Sequence, residues 1–227
     1  MSPIASPDPA EAAGGVPAEP LLDGPPPAAS VVTGSDGIAR CAWSGTDPEY
    51  RRYHDEEWGR TLRGDRPLFE KLSLEGFQAG LSWITILKRR PAFRAAFADF
   101  DIDRVADMGE ADVDRLMADR GIIRNSQKIR ATIGNARIVR ELTHHNDGAL
   151  DRMIWSFAPA PSPRPADRAA IPTTTPESAA LSAALRTLGF RFVGPTTMYA
   201  LMQSAGLVDD HVVGCWRASE AQASAPA

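Results

Sequence analysis

The only two cysteines of the chain, Cys41 and Cys215, each have a histidine close by in sequence. His54 follows Cys41, and His211 precedes Cys215 in the string His-Val-Val-Gly-Cys. A helix or tight turn sets residues i and i+4 on one face. Two thiolates and two imidazoles make a closed tetrahedral zinc set of the structural type, which here would clip the two ends of the folded region together. Other readings stay open. A free cysteine often serves as a small buried hydrophobe. A Cys41–Cys215 disulfide is possible on counting, and neither spacing matches the common zinc-finger pattern.

A second group of residues suits a flat ring. Tyr53-His54-Asp55-Glu56-Glu57-Trp58 and Leu74-Glu75-Gly76-Phe77-Gln78-Ala79-Gly80-Leu81-Ser82-Trp83 crowd large aromatics around few carboxylates. An electron-poor ring asks for aromatic planes to stack on and one carboxylate to accept its hydrogen bonds and balance its charge. Tyr53, Trp83 and Trp43 are the candidate planes and Glu75 the candidate carboxylate. The alternative is that Trp58, Trp83 and Phe77 are core, the reading preferred for Phe77.

Composition narrows the setting. No apolar run approaches the ~20 residues of a membrane span. No Lys or Arg precedes Arg40, so the first segment lacks the basic region of a secretory signal. A cytoplasmic protein is expected, where stable disulfides are rare. The net charge is −4, but residues 1–39 hold five acids and no base, leaving −4 + 5 = +1 for the rest. Seven bases (Arg115, Arg120, Arg124, Lys128, Arg130, Arg137, Arg140) lie between 115 and 140, against one acid, Asp119. Local patches rather than total charge set phosphate affinity. The competing reading is a solvated helix face.

The elements that must position these groups read as all-α. Residues 1–39, rich in Ala and Pro, cannot offset their chain entropy by burial and are expected to be a disordered tail, as are 218–227. One domain is expected over 40–217. Asp47-Pro48 should open a helix through Trp58. Asp65 should cap the next, with Leu68, Phe69, Leu72 and Phe77 at helical spacing and a break at Gly80. A helix over Ser82–Arg90 should stop at Pro91. Short pieces follow around Val105–Met117, then a long helix from Ser126 and another over Leu150–Phe157. Residues 158–172 should be an extended loop. A helix from Thr175-Pro176 to Leu188 is joined to the last, Met198–Leu207, by Gly189-Phe-Arg-Phe-Val-Gly194. That is either a plain αα-hairpin or a helix-hairpin-helix, whose amides and following helix N-terminus make a phosphate site.

Taken in order, several strings resemble the 3-methyladenine DNA glycosylase I family across about residues 40–215. They are Arg40-Cys41-Ala-Trp43, Tyr53-His54-Asp55-Glu-Glu-Trp58-Gly, Leu74-Glu75-Gly-Phe-Gln78-Ala-Gly80-Leu81-Ser-Trp83, Gly121-Ile-Ile-Arg124, Lys128-Ile, Ile133-Gly-Asn-Ala136, Phe192-Val-Gly194 and Asp210-His211-Val-Val-Gly-Cys215. The resemblance implies a helix-hairpin-helix glycosylase fold and one structural zinc on Cys41, His54, His211 and Cys215. It implies excision of 3-methyladenine from alkylated double-stranded DNA, with the base flipped out of the stack. Tyr53 and Trp83 would stack on the base, Trp43 would wall the pocket, and Glu75 would accept from its edge. Gly80 and Leu81 would enter the DNA, Leu81 as an apolar wedge. Gly189, Gly194, Arg124 and Lys128 would hold phosphates. A monomer with no membrane association is expected.

Val208-Asp209-Asp210-His211 departs from the family's pattern, which often has Asn at the place of Asp209. Asp209 is thus a candidate catalytic carboxylate, weighed against a cap beside the zinc. The competing functions are a zinc-containing module that binds damage without cutting and an enzyme acting on a free purine. A pure binder needs no base pocket, and a free-purine enzyme would leave the basic segment idle. Residues 189–217 contain no lysine, which argues for water rather than a Schiff base as the nucleophile.

Overall fold

The computed structural model describes residues 29–217. The expected all-α class holds among them, with one small exception at the start. Strand β1 (Val31–Thr33) pairs antiparallel with β2 (Ala39–Cys41), Val31 opposite Cys41. The boundary expected at residue 40 therefore falls inside a hairpin. A three-residue β-branched run is too short to show alternation, and it is held by packing of Val31 on the cluster of Cys41, Val212 and Cys215. Residues 1–28 and 218–227, expected as tails, lie outside the described residues.

Nine α-helices follow among the described residues: α1 (Pro48–Glu56), α2 (Asp65–Gln78), α3 (Trp83–Ala96), α4 (Ile102–Ala106), α5 (Glu110–Ala118), α6 (Ser126–Thr143), α7 (Ala149–Trp155), α8 (Pro176–Thr187) and α9 (Pro195–Ser204). Helix α1 starts as expected, the Asp47 carboxylate accepting from the amides of Glu49 and Tyr50 at 3.0 and 3.2 Å. Helix α2 is the centre: every residue from Lys71 to Gln78 is buried, against α3, α6, α7 and α9. A helix enclosed on all sides loses the one-sided pattern of a surface helix. Its Gly76 faces the α8–α9 connector, where a Cβ would stand 3.3 Å from Phe192 Cβ.

Two expectations are corrected here. Asp65 does not cap its own helix. Its carboxylate accepts from the amides of Gly148 and Asp151 at 2.7 and 2.9 Å, while Asp151 accepts from Gly64 N at 2.8 Å. The two acids cap each other's helices, α2 and α7. Nor does Pro91 end α3, which runs on to Ala96. Phe93 and Phe97 beyond it are buried, with ring centroids 4.7 and 5.8 Å from Phe77. Packing on both sides holds the helix through the proline despite the lost hydrogen bond.

The expected connector between α8 and α9 is present. Gly189, at φ +95°, ends α8, with Gly189 N on Arg186 O at 2.9 Å and Phe190 N on Leu185 O at 3.0 Å, a Schellman closure. Asn135 of α6 clamps the turn, donating to Arg191 O at 3.1 Å and accepting from Arg191 N at 3.0 Å. Gly194 precedes Pro195 at the start of α9, so the first amides of α9 lack helical partners.

Candidate active site and metal centre

The four thiol and imidazole groups converge. The ligand atoms of Cys41, His54, His211 and Cys215 lie within 4.8 Å of one another, all buried. Cys41 Sγ to His211 Nδ1 is 3.7 Å, Cys215 Sγ to His211 Nδ1 3.6 Å and Cys215 Sγ to His54 Nε2 3.5 Å. A zinc tetrahedron with ordinary Zn–S and Zn–N bonds has S···N edges of about 3.6 Å. The far ring nitrogens are also engaged: His54 Nδ1 with Asp55 Oδ1 at 2.8 Å, and His211 Nε2 with Trp58 O at 3.2 Å. Such outer partners set the tautomer that leaves the other nitrogen free to ligate. Asp55 is held by Arg40 Nε at 2.9 Å and Trp216 Nε1 at 3.1 Å. The Cys41 thiol raises its own affinity for a proton through its hydrogen bond with Cys215 and through burial. Cys215 is held low by that same bond, and then by His211 and His54. The cysteines are free thiols, not a disulfide, and the donor set fits one zinc ion.

This cluster aims the aromatic group. His54 and Tyr53 are neighbours on α1, so fixing His54 fixes the rotation of Tyr53. Trp43 spans the two groups, with ring centroids 5.2 Å from His54, 6.5 Å from Tyr53 and 5.0 Å from Trp58. Tyr53 in turn lies 5.5 Å from Trp83 at 46°. Glu75, from α2, stands in the same region, 3% exposed, and Ser204 Oγ of α9 donates to its Oε1 at 2.9 Å. Burial pushes the Glu75 carboxyl up to about 7, against the opposing pull of Lys71 and Ser204. Tyr53 is driven far above its usual value by burial and then by Glu75. The indole Nε1 of Trp83 is buried without a hydrogen-bond partner among the described residues. The cage therefore brings together two buried aromatic rings, one acceptor that ionises near neutrality, and one indole donor without a partner among the described residues.

Sequence reasoning missed two members of this group. Ser204 is 129 positions from Glu75 in the chain. Lys71, one helical turn before Glu75, is buried, with its Nζ 5.0 Å from the Tyr53 ring centroid and 5.6 Å from that of Trp83. Its i, i+4 spacing from Glu75 was the available signal.

The remaining candidates are placed as follows. Gly80, at φ +82°, and Leu81 form the turn after α2, and Leu81 is 41% exposed. The expected phosphate role of Lys128 is corrected: its Nζ turns inward and donates to Phe77 O and Ala79 O at 2.8 and 2.6 Å, capping α2 beneath that turn. Much of the basic segment is also spent internally. Arg115, Arg130 and Arg140 pair with Asp112, Glu110 and Asp107, and Arg137 donates to Ala106 O and Met108 O. Those acids lie just before the stretch in which the bases were counted. Arg120 and Arg124 are exposed and, among the described residues, carry no ion pair. Asp209 pairs with Arg164, whose Nε donates to it at 2.8 Å, and accepts from His211 N at 3.2 Å. Its contacts are those of a cap beside the cysteine–histidine cluster.

Fold and site together define a helical domain with a buried group of aromatic rings around one carboxylate, beside a cluster able to bind a metal. The chain belongs to the methyladenine glycosylase family, whose model matches residues 43–218. DNA-3-methyladenine glycosylase 1 of Escherichia coli is 50% identical over 180 residues, 78% of this chain and 96% of that protein. A crystal structure of 3-methyladenine DNA glycosylase I superposes with a TM-score of 0.75 at 47% identity, covering 78% of this chain and 98% of that one. The Staphylococcus aureus enzyme, solved to explain its recognition of 3-methyladenine, superposes at 0.74 with 34% identity, covering 78% and 95%. Among the described residues no helix is long and apolar enough to cross a membrane.

Proposed function

We propose that this protein is a monofunctional DNA-3-methyladenine glycosylase that hydrolyses the N-glycosidic bond of 3-methyladenine in alkylated duplex DNA and leaves an abasic site. The observation that carries the reading is Glu75, a buried carboxylate ionising near neutrality among Tyr53 and Trp83. Methylation at N3 places positive charge on the ring and makes the base a good leaving group, so no protonation of it is required. The lesion must leave the stack to be reached. Tyr53 and Trp83 stack on the flipped ring, Trp43 walls the pocket, and Glu75 accepts from the ring's edge and favours a cation. Exposed Leu81, on the turn at Gly80, fills the gap left in the duplex.

The connector from Gly189 to Gly194 with the start of α9 serves as a phosphate site, joined by exposed Arg124. Lys128 supports the wedge turn from beneath. A single zinc on Cys41, His54, His211 and Cys215 ties the N-terminal hairpin to the C-terminal segment and holds α1 in register. Water is the nucleophile. Asp209, engaged with Arg164 and the His211 amide, acts in structure rather than in chemistry. The test is single-turnover release of 3-methyladenine by the wild type and Glu75→Gln. A loss of about 100-fold or more is expected, in line with removal of a key electrostatic group. An unchanged rate would remove Glu75 from the site.

A further inference from the structure

Lys71 has no part in the reading above, yet it occupies the middle of the cage. It is 8% exposed, and its Nζ lies over two rings at once, 5.0 Å from Tyr53 and 5.6 Å from Trp83. Both distances are within cation–π range. Among the described residues its amine makes no hydrogen bond or ion pair, and the two rings and nearby carboxylates face it. Glu75 stands one turn along the same helix. Burial weakens the amine's hold on its proton, while Glu75 and then Glu57, which Arg90 holds through Nη2 at 2.8 Å, strengthen it. The ammonium thus sits against the same faces and the same carboxylate that a cationic base would use.

The consequence is a matter of charge. With Glu75 alone, the cage is an anion that a cationic ring neutralises. With Lys71 present, the pair is already neutral. A cationic ring then meets a like charge at close range in a low dielectric, whereas an uncharged ring of the same shape does not. We infer that Lys71 is a specificity-determining residue of the base site, whose ammonium over Tyr53 and Trp83 narrows the preference for a cationic alkylated base over an uncharged one. The inference rests on the glycosylase reading, because it takes this cage to be the base site.

The experiment compares wild type, Lys71→Met and Lys71→Gln at pH 8 with two probes. One is single-turnover release of 3-methyladenine from alkylated duplex DNA. The other is the Kd for a duplex carrying 3-deaza-3-methyladenine, an uncharged isostere with a stable glycosidic bond. Because loss of Lys71 also raises the Glu75 value, release is compared throughout per ionised Glu75, the ionised fraction being read from the pH profile of each protein. On that basis both variants are expected to release 3-methyladenine roughly tenfold faster, with a change of less than about twofold in Kd for the isostere. The glutamine variant, as long as methionine but polar and uncharged, gives a second neutral replacement should methionine repack the cage. Equal changes on both probes would make Lys71 a packing residue and overturn the inference, as would slower release with isostere binding retained. Absence of release by all three proteins would instead overturn the glycosylase reading, and this inference with it.

Discussion

Replacing Ser204 by Ala removes one hydrogen bond to Glu75 and little else. The hydroxyl donates to Glu75 Oε1 at 2.9 Å, and both residues are buried. A hydrogen bond to a charged group contributes about 1.5–3 kcal/mol, which is roughly one to two pKa units. Burial already lifts Glu75 to about 7, and the serine is one of the two groups pulling it back. Without the serine its value rises to about 8–9. Recognition of a cationic ring needs the ionised carboxylate, so the rate rises with pH through the Glu75 value. At pH 7 the ionised fraction falls from about one half to about one tenth or less, a loss of at least about fivefold. By about pH 9.5 most of the rate should return. The assay is the pH profile of single-turnover 3-methyladenine release for wild type and Ser204→Ala. A uniform loss at every pH, with the midpoint in place, would refute the link between this hydrogen bond and the charge of Glu75.

Two further outcomes follow from the site. Chelation should destabilise the domain, because the four ligands join β2 and α1 to the segment after α9. Even about 5 kcal/mol, half the low end found for zinc-finger peptides, lowers Tm by about 10–20 °C at this size; a chelated protein melting unchanged, with no zinc found by elemental analysis, would contradict a structural ion. Asp209→Asn should leave the single-turnover rate within about twofold while costing about 1–2 kcal/mol of stability, since Asp209 is exposed but its partner Arg164 is largely buried; a 100-fold slower chemical step would make Asp209 catalytic.

The parts of the molecule legible in the sequence share a physical reason. Cysteine is rare enough here that two thiols with flanking histidines stood out, and the residues that must sit together at the cluster do so. The α8–α9 connector was legible because glycine at φ +95° leaves a local mark at Gly189. What was missed depends on partners distant in the chain. Asp65 looks like an ordinary cap of its own helix until that helix is brought beside the one holding Asp151. Lys128 and the arginines of α6 look like a basic surface until Asp107, Glu110 and the end of α2 claim them. The turn Ala98–Phe100, three non-glycine residues with φ of 53–56°, has no glycine or asparagine to announce it. Each such residue costs about 1–2 kcal/mol, and the buried Phe97 and Phe100, stacked with centroids 5.6 Å apart, hold it in place.

The most direct measurement is chromatography of the free bases released from N-methylated duplex DNA by the purified protein. The account predicts release of 3-methyladenine with 7-methylguanine left in the DNA. No release by a folded, zinc-loaded protein that still binds the DNA would contradict it, and would leave a damage-binding module in its place.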